Sequence, residues 1–156
     1  MGQQQLLLLV LGIVIVGLAV VVGIQAFGEN QKKANSDAIV NDAVRIASDA
    51  QAWKLKPAAF GGGANETGME NFALAQVGYE VDSGTYSNLN GDFTVAPSTT
   101  SLIITGTNTP NDNEVQVGVF GTSPDCIATA VGAIGAVTTP TIPSTCDDGF
   151  PPPAAP

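Results

Sequence analysis

Leu6 to Ile24 reads LLLLVLGIVIVGLAVVVGI, nineteen residues with no charged or strongly polar side chain. As a helix this run measures about 28 Å, close to the ~30 Å hydrocarbon core of a bilayer. A core helix in a small domain is apolar on one face, whereas this run is apolar on every face. It predicts a membrane-crossing helix. The preceding Met-Gly-Gln-Gln-Gln has no Lys or Arg, and no small-x-small site closes the run. A cleaved secretory signal is therefore the poorer match. A myristoylation signal also fails, because Leu6 stands where Ser or Thr is required.

Helical character continues past the run. No proline occurs until Pro57. Ile39, Ala43, Ile46, Ala50 and Trp53 recur at spacings of four and three, with Val40, Val44 and Ala47 beside them. That periodicity predicts an amphipathic helix over residues 36–55. Asp37, Asn41, Asp42, Arg45, Asp49 and Lys56 form its polar side. Pro57 and then Gly61-Gly62-Gly63 terminate it. A helix unbroken from Gln3 to Lys56 would be about 80 Å long. Its second half would dock on a globular head, and its first half would project as an apolar rod.

Charge divides the chain in the same way. Of 156 residues, 14 are acidic and 5 basic, with no histidine, for a net charge of −9. All five bases (Lys32, Lys33, Arg45, Lys54, Lys56) lie within 25 consecutive positions. Residues 1–56 sum to +1, the five bases against Glu29, Asp37, Asp42 and Asp49, and residues 57–156 sum to −10. Phosphate binding needs clustered cations, so no nucleic-acid partner is expected. The lack of histidine excludes histidine-dependent catalysis and histidine metal sites.

Beyond the glycines the period changes from helix to strand. Phe93–Ala96, Ser101–Thr107, Glu114–Phe120 and Ile127–Val131 read as short strands, the last extending toward Val137. Pro110 and Asn111-Asp112-Asn113 mark a turn between the second and third. Residues 64–91 read as a long loop with a short helix or hairpin near Phe72–Val81. Short Gly-, Asn- and Pro-rich connections favour an antiparallel meander. Packed against the amphipathic helix, this sheet makes an α+β fold. Three regions result: an apolar anchor or assembly helix over 1–28, its amphipathic continuation over 29–56, and an acidic β-rich head over 57–156 ending in a Pro-rich tail.

Cys126 and Cys146 are the only cysteines. A disulfide is the simplest reading if the head lies outside the cytoplasm. Two buried thiols, or a two-cysteine metal site lacking histidine, are the alternatives. Asn65-Glu66-Thr67 is an N-glycosylation sequon in an expected loop, which makes Asn65 a candidate glycosylation site.

The order of parts resembles a type IV pilin or pseudopilin: an apolar helix, an amphipathic continuation, a small antiparallel sheet and a cysteine-bounded loop. GQQQLLLLVLGIVIVGLAVVVGI resembles the processing segment of that family. The resemblance implies a leader ending at Gly2 and a mature chain beginning at Gln3. It also implies a prepilin-type peptidase and an assembly machinery as partners. Mature position five would be Leu7, where the family usually carries glutamate.

Three functions compete for this arrangement of parts. In the first, the chain is a structural subunit of an extracellular pilus-like filament, held in a membrane before assembly and then self-associating into a helical polymer. Leu6, Leu7, Leu8, Leu9, Val10, Leu11, Ile13, Val14, Ile15, Val16, Leu18, Val20, Val21, Val22 and Ile24 would contact lipid and later neighbouring helices. In the second, a single-pass anchored head binds a ligand or calcium through acids at Asp112-Asn113-Glu114, Asp125 and Asp147-Asp148, although the spacing matches no EF-hand and a solvated acidic loop is the simpler reading. In the third, the chain is an enzyme. Serine would lack a histidine base, and Gly61-Gly62-Gly63-Ala64 lacks the Lys-Ser/Thr of a phosphate loop. The expectation is a non-enzymatic protein with no cofactor and no metal.

Overall fold

The computed structural model describes residues 2–146, 149 and 150. A single helix, α1, runs from Gly2 to Leu55 over 54 residues. It ends two residues before Pro57, as the sequence predicts, since proline disfavours helical geometry in the residue before it. Five strands follow: β1 (Tyr86–Ser87), β2 (Asp92–Pro97), β3 (Leu102–Asn108), β4 (Asn113–Val119) and β5 (Ile127–Gly132). They form one antiparallel sheet in the order β1-β2-β3-β4-β5, a meander in which each strand pairs with its sequence neighbour. The α+β architecture follows the expectation.

Two details depart from it. β1 is a further, two-residue strand paired with β2. β5 ends at Gly132 and does not reach Val137. Residues 133–136 turn instead, with the Ala136 N–H donating to the Ala133 carbonyl. Gly135 sits at φ 78°, a left-handed geometry that no strand continues through. In the 64–91 loop, Leu74–Val77 form a 3-10 turn. Asp82 makes an isolated bridge to Thr85.

The chain separates into two compact units, Met1–Ala34 and Asn35–Pro156. The first consists of helix alone. The second holds the core. Ile39, Ala43, Ile46, Ala47, Ala50 and Trp53 are the buried apolar face of α1. Register places Leu102, Ile104 and Gly106 opposite Val119, Val117 and Val115, so these alternate residues share one sheet face. Alternation along a strand brings every second residue to the same side, which makes this face the inner one. Gly106 is required there: a Cβ would lie 2.6 Å from Ile39 Cγ2 and 2.8 Å from Phe93 Cε1. Met69, Phe72 and Leu74, from the loop before the sheet, complete the same core.

Candidate functional site

The first unit presents the largest uncovered apolar surface among the described residues. Every large side chain from Leu6 to Ile24 is 50–69% exposed, and so is the whole circumference, since these residues occupy every turn. No acid or base occurs from Gly2 to Gly28. The segment is long and apolar enough to cross a membrane. Covering its fifteen large side chains is worth tens of kcal/mol at roughly 1.5–3 kcal/mol each. That exceeds the total stability of about 5–15 kcal/mol of a typical domain. By length and composition the segment is a membrane-crossing helix or a signal sequence near the N-terminus. Gly12, Gly17, Gly23 and Gly28 have open space where a Cβ would point, so no contact among the described residues explains them. Gly2 and Gln3 are the first two described residues of α1, and both are exposed.

The second half of α1 is fixed to the head by polar as well as apolar groups. Near its start, Asn35 Nδ2 donates to the Asn90 carbonyl at 3.0 Å, and Asn113 Nδ2 donates to Asn35 Oδ1 at 3.1 Å. Asp42 Oδ2 accepts from Asn88 Nδ2 at 2.9 Å and Asn90 Nδ2 at 2.7 Å. Further along, Tyr79 donates to Asp49 Oδ2 at 2.7 Å. Burial raises the Tyr79 pKa above the ordinary tyrosine value, and the hydrogen bond to Asp49 adds to this. Gln51 Nε2 donates to the Gly121 and Ser123 carbonyls at 2.8 and 2.9 Å. Near the end, Lys54 is only 1% exposed. Its Nζ donates to the Gly63 carbonyl at 2.9 Å and to the Glu66 carbonyl. Burial lowers the Lys54 pKa, opposed by the Glu66 charge.

Cys126 and Cys146 form a disulfide, with Cα atoms 4.6 Å apart. The segment it bounds returns over the outer sheet face. Glu114, Gln116 and Gly118 of β4 pair there with Gly132, Ala130 and Ala128 of β5. The Gly135 N–H donates to Glu114 Oε2 at 2.6 Å, and Gln116 Nε2 donates to Glu114 Oε1 at 2.8 Å. A Cβ on Gly118 would lie 3.2 Å from Pro140 Cβ. Glu114 is thereby 7% exposed despite its charge.

The structure assigns structural roles to two of the five acids considered for calcium, Asp112 and Glu114. Asn113 and Glu114 are buried and hydrogen-bonded within the head. Asp112 closes a 3-10 turn in left-handed geometry. Among the described residues no three acids, cysteines or histidines converge to hold a metal ion. Asp147, Asp148 and the tail beyond Phe150 lie outside the described residues. Asn65 is exposed, in the loop between Gly63 and Glu66. Sequence reading missed Gln51 and Lys54. Both fall on the buried helix face, and the acceptors that hold them are backbone carbonyls, which carry no sequence signature.

No family model, no curated protein and no solved structure matches this chain.

Proposed function

We propose that this chain is a structural subunit of an extracellular, type IV pilus-like filament, stored in a membrane and polymerising through its N-terminal helix. The single observation that carries the reading is the uncovered apolar surface of Leu6–Ile24 on the same continuous helix that forms the core of a folded head. A plain anchor needs only the apolar length. A filament subunit needs, in addition, a head fixed to that helix, and the helix is fixed along residues 35–54 by both core packing and the polar contacts of Asn35, Asp42, Gln51 and Lys54. The unexplained glycines at 12, 17 and 23 suit close approach of neighbouring helices. Repetition of one such heterologous contact generates a helical polymer. The partners are further copies of this chain, a prepilin-type peptidase cutting between Gly2 and Gln3, and an assembly machinery.

The test is a sheared surface fraction from the native host, imaged for thin filaments, with N-terminal mass spectrometry of their main component. Filaments made of this chain with an N-terminus at Gln3 are the expected result. A chain recovered only as a detergent-solubilised monomer overturns the proposal. An intact Met1 within filaments removes the peptidase but leaves the polymer.

A further inference from the structure

We propose that Asn65 carries an N-linked oligosaccharide. The inference rests on the head lying outside the cytoplasm, which the Cys126–Cys146 disulfide supports, and not on polymerisation. Asn65-Glu66-Thr67 is the only Asn-x-Ser/Thr sequence in the chain with a non-proline middle residue.

The amide of Asn65 differs from those of the other asparagines. Outside α1 the chain has seven asparagines. Six of them use Nδ2 as a donor: Asn71 to Glu66, Asn88 and Asn90 to Asp42, Asn108 to the Asn90 carbonyl, Asn111 to Asn108, and Asn113 to Asn35. Asn65 is the seventh, and its amide donates to no described residue. The bonded asparagine amides hold loops together here, and the Asn65 amide bonds to no described residue.

The backbone around it is nevertheless well anchored. Lys54 Nζ binds the carbonyls of Gly63 and Glu66 on either side. The Ala64 N–H donates to the Lys56 carbonyl at 3.2 Å. The Glu66 carboxylate accepts a hydrogen bond from the Asn71 amide. Asn65 and Thr67 are both exposed, while Gly63 and Gly68 on the flanks are buried. The loop thus displays both recognition side chains to solvent from a fixed base. A glycan at this position displaces no contact of the fold.

The donor class is an oligosaccharide carried on a lipid diphosphate. Asn65 Nδ2 attacks the anomeric carbon and forms a C–N bond. The bond from that carbon to the diphosphate oxygen breaks, and the lipid diphosphate leaves with the electron pair. One amide proton passes to a base of the transferase.

The experiment uses the chain isolated from membranes of its native host. Cleavage at aromatic residues yields the peptide spanning residues 61–72, which is read by mass spectrometry. The expected result is a hexose- or hexosamine-containing mass increment on that peptide. It disappears in Asn65→Gln and Thr67→Ala and persists in Thr67→Ser. Thermal melting of Asn65→Gln, expressed in a host without glycosylation, is expected to match the unsubstituted chain from the same host. The peptide found only at its unmodified mass overturns the proposal, as does an increment that survives Asn65→Gln. Filament formation by an unglycosylated chain leaves the polymer reading intact while this one fails.

Discussion

Ile15 and Ile46 sit on one helix and differ in everything that surrounds them. Ile15 is 57% exposed, and Ile46 is 1% exposed in the core of the head. Helical geometry is common to both, so it does not decide their role. What differs is pattern: around Ile46, apolar residues fall on one face with acids and a base opposite, whereas around Ile15 they fill every position. One-sided patterning calls for a single domain's core. All-round patterning calls for a solvent other than water.

The sharpest way to break this contrast is to put charge into the uniform half. Val14→Lys with Leu18→Lys places two cations one turn apart, at about 2.5–3.5 kcal/mol each in a bilayer centre. The carbonate-resistant membrane fraction is expected to fall to background while the head's melting temperature in detergent stays unchanged. A double variant that remains membrane-bound would remove the anchor from the account.

Matched truncations sharpen the contrast. Ile46→Ala is expected to cost about 2–5 kcal/mol in urea denaturation, because a buried methylene deletion leaves a cavity. Ile15→Ala in the same detergent is expected to leave the head's denaturation midpoint unmoved. Equal losses would mean that the first unit shares the head's cooperative unfolding.

The disulfide probes a head element remote in sequence from the helix. Cys126→Ser with Cys146→Ser opens a loop whose ends are 20 residues apart, for an expected loss on the order of 3 kcal/mol. Hydrogen exchange should rise first over β4 and β5, because the loop's Gly135 N–H holds Glu114. Uniform exchange would argue against that coupling.

The smallest effect is a pH dependence. Tyr79→Phe removes one hydrogen bond to Asp49, worth about 0.5–1.5 kcal/mol at neutral pH. The folded state holds the Tyr79 proton more tightly than the unfolded state does. Its contribution is therefore full below the unfolded tyrosine value near 10 and is lost as pH rises above it. The melting difference between the two proteins should shrink in that alkaline range. Lys54 has the opposite sign, since its lowered pKa favours the folded state as pH rises, but it is common to both proteins and cancels.

Much of this division was legible beforehand. The buried helix face, four of the strands and the cysteine pair follow from spacing and turn chemistry. Met69, Phe72 and Leu74 did not announce themselves, because they come from a loop whose path depends on the sheet it covers. Gln51, Lys54 and Glu114 were equally silent. A polar residue becomes a core residue only when distant groups arrive to satisfy it, and periodicity carries no record of those arrivals. The apolar surface was fully legible as a surface.

The burial of Lys54 also shapes how the protein meets proteases. No Lys or Arg follows Lys56, and Lys56 precedes Pro57, a bond that trypsin-like enzymes cut poorly. The bond after Lys54 lies beside a buried, clamped side chain, and the bond after Arg45 leads into buried Ile46. That leaves the bonds after Lys32 and Lys33, on exposed helix beside the Ala34–Asn35 boundary between the two units. Limited digestion therefore has one place to act, and it releases the head whole. A conventional tryptic survey, for the same reason, recovers short helix peptides and passes over the hundred residues that follow Lys56.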